Sequence, residues 1–371
     1  PDFIPFNKPH LVGPELEYIR QAIAAGKLSG NGEFTQRCQQ FFEQRYGIAK
    51  ALLTTSGTDA LEMAALLLDL QPGDEVIVPS YTFTSTANAF VLRGARIVFA
   101  DSSPEHPNLD VAQVERLLSP RTRAIVPVHY GGQPAENFDH LLALAQQHEL
   151  WVVEDAAQAV EARYQGQPLG TWGHLAAFSF HETKNISAGE GGLLAINDPA
   201  LAARAEILWE KGTNRAAFYR GEAAKYEWVD VGSSFLPSEL NAAYLWAQLQ
   251  AIELIQRQRR KLWQRYAEAV APLAAAGRIS LLPSDPAATP NWHLFALLCQ
   301  DEAERNALLA HFRHRHILAV FHYLPLHSSP YYTSRHGSAH LPHAERFGRT
   351  LVRLPLFHDL TDEQQQRVLD A

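Results

Sequence analysis

Two residues have the types and spacing to share one chemistry. Asp155 follows the apolar run Trp151–Val153, and Lys184 lies in His181-Glu182-Thr183-Lys184-Asn185, just after the next apolar run. A lysine that loses its proton is a nucleophile and then a proton carrier. Desolvation and a nearby cation both favour that neutral form. An aspartate that stays ionised can keep a pyridine nitrogen protonated, which makes the ring a better sink for carbanion charge. A charge-assisted hydrogen bond of this kind contributes about 1.5–3 kcal/mol. Together the two are the minimal protein complement for pyridoxal 5'-phosphate (PLP). The stretch Gly189-Glu190-Gly191-Gly192 beyond the lysine lets backbone approach a ligand closely.

Such a cofactor also needs a phosphate site. Ser56-Gly57-Thr58 stands between the apolar run Ala51–Thr54 and an apolar helix that extends through Leu68. Backbone N–H groups at such a junction point at an anion. A helix terminus there adds about 0.3–1 kcal/mol. Asp59 would repel a phosphate dianion, so it is expected to turn away or to cap the helix.

The elements that must position these residues are legible from periodicity. Pro14–Ala25 reads as a helix, with Leu16, Ile19 and Ile23 on one face and Gly26 as its stop. Strands are expected at Ala51–Thr54, Glu75–Pro79, Arg96–Ala100, Ala124–Val128, Trp151–Val153, Leu175–Phe180 and Gly192–Ile196, with helical stretches such as Ser85–Leu92 between them. Repeated strand–helix–strand units of this length give an α/β domain whose mostly parallel sheet is covered on both faces. Ligands of such sheets sit beyond the carboxyl ends of the strands. The chain changes character near residue 236. Pro237–Arg257 reads as one long helix, followed by a smaller α+β region with strands at Leu294–Cys299 and Ile317–Phe321. The expected domains are therefore 1–236 and 237–371, with the N-terminal segment able to pack on the smaller one.

Composition narrows the function classes. The chain has 371 residues, 46% of them hydrophobic and 19% charged, with a formal net charge of -8. That acidity argues against nucleic acid as a partner, whose phosphates need a basic face. No window reaches the roughly 18–20 apolar residues of a membrane span. Two cysteines far apart, Cys38 and Cys299, argue against a disulfide framework and fit a reducing compartment. With no basic-then-apolar leader evident, the expected location is cytoplasmic.

At this point the sequence resembles the DegT/DnrJ/EryC1/StrS family of sugar aminotransferases, across essentially its whole length. The likeness is carried by Gln71–Asn88 (QPGDEVIVPSYTFTSTAN), Val153–Gln158 (VEDAAQ), Phe178–Gly192 (FSFHETKNISAGEGG) and Lys211–Arg215 (KGTNR). It implies PLP-dependent transferase fold type I, aspartate aminotransferase-like, with a seven-stranded sheet. It also implies transamination of dTDP-4-keto-6-deoxyglucose with L-glutamate as donor, in a homodimer with shared sites. Lys184 would form the imine with PLP and Asp155 would pair with its ring nitrogen. Gln158 would contact the phenolic oxygen, and Phe83 would stack on the ring. Ser56, Gly57, Thr58 and Ser179 would hold the phosphate. Many relatives carry Gly-x-Asn-Tyr-Arg where this chain has Gly232-Ser233-Ser234-Phe235-Leu236, so Ser234 would reach the partner's phosphate with a shorter side chain. Ser29, Arg215, Tyr323 and His327 lie in stretches that line the sugar-nucleotide site of relatives.

Other chemistries fit less well. Among 17 histidines, His311, His314 and His316 are close together, with His322 and His327 following. Arg313 and Arg315 interleave with them, and no carboxylate or thiolate completes a zinc set nearby, so no metal is expected. His129 and His181 follow strands and could face a ligand or a satisfied core. A nicotinamide-dependent sugar epimerase or reductase would need Gly-x-Gly-x-x-Gly after the first strand, where Thr55-Ser56-Gly57-Thr58 stands instead. A PLP-binding regulator without turnover would need a DNA-binding segment or basic patch, and none is evident.

Overall fold

The computed structural model describes residues 2–371. Nine strands fall in the first part of the chain: β1 (Lys50–Thr54), β2 (Glu75–Pro79), β3 (Arg96–Ala100), β4 (Thr122–Ile125), β5 (Trp151–Asp155), β6 (Arg163–Tyr164), β7 (Gln167–Pro168), β8 (Leu175–Ser179) and β9 (Gly192–Ile196). Seven of them form one sheet in the order β1-β9-β8-β5-β4-β2-β3. Only β9 runs against its neighbours, pairing antiparallel with both β1 and β8. Every residue of β2, β8 and β9 is buried, the mark of strands covered on both faces.

The first four helices are α1 (Glu15–Ala24), α2 (Glu33–Tyr46), α3 (Gly57–Leu67) and α4 (Thr84–Val91), of which α3 and α4 follow the carboxyl ends of β1 and β2. Phe42, Phe178 and Phe180 anchor the core on one face of the sheet, with Leu52, Val78 and Phe90 on the other. Burying a side chain of this size contributes about 1.5–3 kcal/mol, so the sheet is a stiff platform for what projects from its ends.

The rest of the chain builds a second layer. β10 (Ser280–Leu281), β12 (Phe295–Leu298) and β13 (Leu351–Leu354) form a small antiparallel sheet. β11 (Ala288–Thr289) crosses back to pair with β6. Ile4 forms a parallel bridge with Ile317 and lies in the core of this layer.

Two expectations change here. The long helix read over Pro237–Arg257 is two helices, Glu239–Gln250 and Ile252–Ala275, that meet at Ala251. The first packs Ala242, Ala243 and Leu249 in the same core as Phe42. The second passes from that core at Ile255 to the small-layer core at Leu262. The strand expected over Ile317–Phe321 is only two isolated bridges, Ile4 with Ile317 and Val320 with Arg353. The chain there serves two different partners and makes no continuous ladder.

Candidate active site

Strand alternation separates the two acids at the end of β5. Glu154 points into the protein, where it accepts from the N–H groups of Gly170, Trp172 and Gly173, each at 2.7 Å, and pairs with His129 Nε2 at 2.7 Å. Asp155 points the other way, into a cavity of about 740 Å³. Its Oδ2 accepts from the hydroxyl of Thr86 at 2.7 Å, and its Oδ1 accepts from the N–H of Ala157 at 3.1 Å. His129 is therefore a core histidine, whereas His181 lines the cavity.

Lys184 reaches the same cavity from the connection between β8 and β9. What it exposes faces that space. Burial is the main cause that pulls its ammonium down to about 8; Asp155 opposes the shift and Arg353 adds to it. The lysine is thus poised to give up its proton near neutral pH. Beneath it, Asn185 donates to Gln256 and to the carbonyl of Asn291, and its oxygen meets His293 Nδ1 at 2.8 Å. Burial, followed by the charge of Lys184, holds His293 well below the usual histidine range. A neutral ring there adds no further positive charge.

The end of the cavity expected to take a phosphate is built from the start of α3. Ser56 caps this helix by accepting from the N–H of Asp59 at 3.0 Å. Asp59 turns its carboxylate to the hydroxyl of Thr55, which resolves its expected conflict with an anion. The first N–H groups of α3 have no acceptor within the helix. Thr58 Oγ1 lies 2.7 Å from Ser85 Oγ, and both line the cavity together with Ser179. Glycine is required at position 57, because a Cβ there would come within 2.9 Å of Ser179 Cβ. Hydroxyls, free N–H groups and a helix terminus at one end, with an acid and a lysine at the other, fit PLP along its length.

Gln158 and Tyr323 form a side wall. Gln158 Oε1 accepts from the N–H of Gly131 at 2.7 Å, and its Nε2 donates to the Tyr323 hydroxyl at 3.3 Å. Phe83 is 55% exposed, its ring 6.0 Å from that of Tyr323, and so presents a free aromatic surface to the cavity.

Four expected residues lie elsewhere. His327 is fully buried, bonded through Nδ1 to Ser80 Oγ at 2.7 Å and through Nε2 to Glu345 at 3.2 Å. Both of its ring nitrogens are thus engaged inside the protein, away from the cavity where a substrate contact was expected. Ser29 and Ser234 are exposed and line no part of this cavity. Arg215 lines a separate cavity with Asn31 and Tyr219, its Nε 3.7 Å from Glu210. Of the histidines weighed for a metal, His322 lines the cavity beside Tyr323. Among the described residues, the three ligand-type groups that do come together are His10, His358 and Asp359, in which His10 Nδ1 lies 2.7 Å from Asp359.

Ser85 and Arg353 of the cavity, and Thr86 behind Asp155, are among the residues that escaped the sequence reading. Ser85 and Thr86 open α4 just after β2, where a search beyond strand ends could have found them. Arg353 sits inside a strand of the small sheet, where no positional signal marks it.

A lysine, an acid and a phosphate cradle at the carboxyl edge of this sheet define a PLP-dependent transferase of fold type I. The chain belongs to the DegT/DnrJ/EryC1/StrS aminotransferase family, which it matches over residues 10–371, and it is a PLP-dependent sugar aminotransferase. DesV of S. venezuelae, solved in complex with a ketimine intermediate, is 33% identical with a TM-score of 0.89, over 100% of this chain and 97% of that one. The aminotransferase TlmJ from Streptoalloteichus hindustanus is 30% identical with a TM-score of 0.89, over 99% and 96%. A DegT DnrJ EryC1 StrS aminotransferase from Brucella abortus is 26% identical with a TM-score of 0.85, over 96% and 93%. No helix among the described residues is long and apolar enough to cross a membrane.

Proposed function

We propose that this enzyme moves an amino group from L-glutamate to C4 of dTDP-4-keto-6-deoxyglucose, giving dTDP-4-amino-4,6-dideoxygalactose. The observation that carries the transamination is the convergence of Lys184 and Asp155 on one cavity that also holds the start of α3. Bound PLP supplies an electron sink for the carbon that loses or gains a proton. Asp155, steadied by Thr86 and Ala157, pairs with the ring nitrogen. Ser56, Gly57, Thr58 and Ser179 would hold the phosphate, Gln158 would meet the phenolic oxygen, and Phe83 would cover the ring. Lys184 would anchor the cofactor and carry the proton to and from the reacting carbon.

The choice of sugar rests on likeness of segments within the family. Gly26-Lys27-Leu28, Phe180–Asn185, Gly232-Ser233-Ser234 and Ala242–Leu249 resemble dTDP-4-amino-4,6-dideoxygalactose transaminases. The competing reading is a relative acting on another keto-sugar nucleotide: a C3 ketone, a UDP sugar or a gluco product.

The same reading makes the enzyme a homodimer in which Ser234 of each chain completes the phosphate site of the other. The segment around Ser234 supports it: Tyr219 is 73% exposed and Trp228 83%, beside exposed Val229 and Val231. Apolar surface gathered in this way marks an interface. Ser29 and Arg215 join the sugar-nucleotide site in this arrangement, and Tyr323 joins it from the same chain.

The test is the visible spectrum of the PLP-loaded enzyme. Glutamate should abolish the cofactor's absorption band, and dTDP-4-keto-6-deoxyglucose should restore it. A band that falls but does not return would keep the aminotransferase and discard this sugar.

A further inference from the structure

Segments near the two ends of the sequence meet in a cluster of three side chains that transamination does not use. His10 belongs to the segment before α1, and His358 and Asp359 stand just ahead of helix Asp362–Leu369. The rings of His10 and His358 stack, with centroids 3.6 Å apart and planes inclined by 19°. Both turn Nδ1 to the same oxygen, Asp359 Oδ1, at 2.7 and 3.2 Å. One ligand atom from each of the three lies within 4.8 Å of the other two.

The protein alone leaves this cluster under-satisfied. Two imidazoles share one carboxylate oxygen, and Nε2 of His358 is buried without a partner. A buried polar group in that state points to a further ligand, a water or an ion. Burial is the main cause that holds His358 below the usual histidine range, against its hydrogen bond to Asp359. A neutral ring keeps a lone pair for a metal. Arg259 adds to that shift, but its own guanidinium is bound to the carbonyls of Trp292, His293 and Leu356.

The spacing suits a small cation. Metal bonds of about 2.0–2.2 Å place the ligand atoms of a tetrahedral site about 3.3 Å apart. The Nδ1–Oδ1 distances of 2.7 and 3.2 Å would open by about 0.6 Å at most. The Asp359 side chain is 38% exposed, which leaves an entry path and a coordination position for water. Two imidazoles and a carboxylate match zinc and its neighbours, whereas magnesium and calcium take oxygen ligands.

We infer that His10, His358 and Asp359 bind a divalent transition-metal ion of the zinc type, which ties the segment before α1 to the turn before helix Asp362–Leu369. None of the three lines the cavity of Lys184, so the site is structural and independent of the sugar and the donor. What it ties down borders that cavity. Phe6 lines it, and Asn7 donates to the carbonyl of Glu182 at 2.8 Å. Gln248 donates to the carbonyl of His10 at 2.8 Å, so the backbone of this ligand is already held.

The test adds Zn²⁺ alone to the PLP-loaded enzyme after EDTA treatment and desalting, read by calorimetry. Wild type should take up one Zn²⁺ per chain in a tight phase, separate from weak binding to surface histidines. His10→Gln and Asp359→Asn should each weaken that phase by about 100-fold, the upper end of what even an outer-sphere partner of a metal contributes. His314→Gln, at an exposed histidine outside the cluster, should leave it unchanged. Zn²⁺ should also slow amide hydrogen exchange in residues 2–13 of wild type, and not in His10→Gln. Both substituted ligands are partly exposed, and both changes keep a side chain of similar size, so the variants should fold. Absence of a tight phase in wild type overturns the site. So does a tight phase that survives His10→Gln and Asp359→Asn combined, or one lost in His314→Gln. Tight binding at these residues with unchanged exchange in residues 2–13 overturns the tie between the two segments.

Discussion

Thr86 holds Asp155 from the opposite wall: its hydroxyl donates to Oδ2 at 2.7 Å, while Thr82 Oγ1 lies 2.7 Å from Thr86 Oγ1. Both threonines are buried. The acid proposed to pair with the cofactor ring is thus oriented by a short chain of hydroxyls at the start of α4. Thr86→Val keeps the shape and removes the donor. It should weaken PLP binding by about tenfold, the worth of one hydrogen bond to a charged group. Thr86→Ser should restore it. Fluorescence titration of the apoenzyme with PLP measures both.

The neighbouring acids should separate stability from catalysis. Glu154 satisfies three backbone N–H groups and His129 in a site closed to solvent. Glu154→Ala should cost about 3–5 kcal/mol of folding stability, since buried donors lose their acceptor. Asp155→Asn should melt within a few degrees of wild type yet lower kcat by about 10²–10⁴-fold. Urea unfolding and the glutamate half-reaction distinguish the two. Equal loss of stability in both variants would refute the division of roles.

Lys184 sets a pH dependence. Its folded pKa of about 8 lies below the ordinary value of 10.5. Between those values the unfolded chain binds the proton and the folded chain does not, so this group adds stability to the apoenzyme as pH rises through that window and opposes folding below it. The same titration governs reactivity: covalent capture of PLP by the apoenzyme should rise to half its maximum near pH 8. Asp155 holds that midpoint up, so Asp155→Asn should lower it. Borohydride trapping across a pH series reads the midpoint.

Gly57 is a steric requirement of the cradle. An added methyl would meet Ser179 Cβ at 2.9 Å and the carbonyl of Phe178 at 3.3 Å. The strand behind it is fully buried and cannot retreat. Gly57→Ala should therefore cost about 1–3 kcal/mol of stability and weaken binding of PLP more than that of pyridoxal, which lacks the phosphate. Equal weakening of the two would show that the phosphate does not sit at this turn.

Local patterning alone determined much of this protein. Continuous apolar runs marked strands buried on both faces, and β2, β3 and β9 begin and end at the expected residues. Strand ends marked Asp155 and Ser56–Thr58, which the structure brings to one cavity, because a parallel sheet opens its ligand crevice there. Lys184 stood out by its distance beyond one such strand. Tertiary structure alone decided the rest, because those outcomes depend on contacts between distant segments. His327 and Tyr323 belong to one short stretch, yet Ser80 and Glu345 claim the first for the core and Gln158 claims the second for the cavity. Ala251 breaks a helix whose periodicity runs on unbroken, and the second half leaves the core it shares with the first for the small-layer core at Leu262. No local pattern in the sequence marks Arg353, which the structure places in β13. Only the packing of β13 between β12 and Val320, with its side chain turned to the lysine's cavity, leaves that charge buried and unpaired.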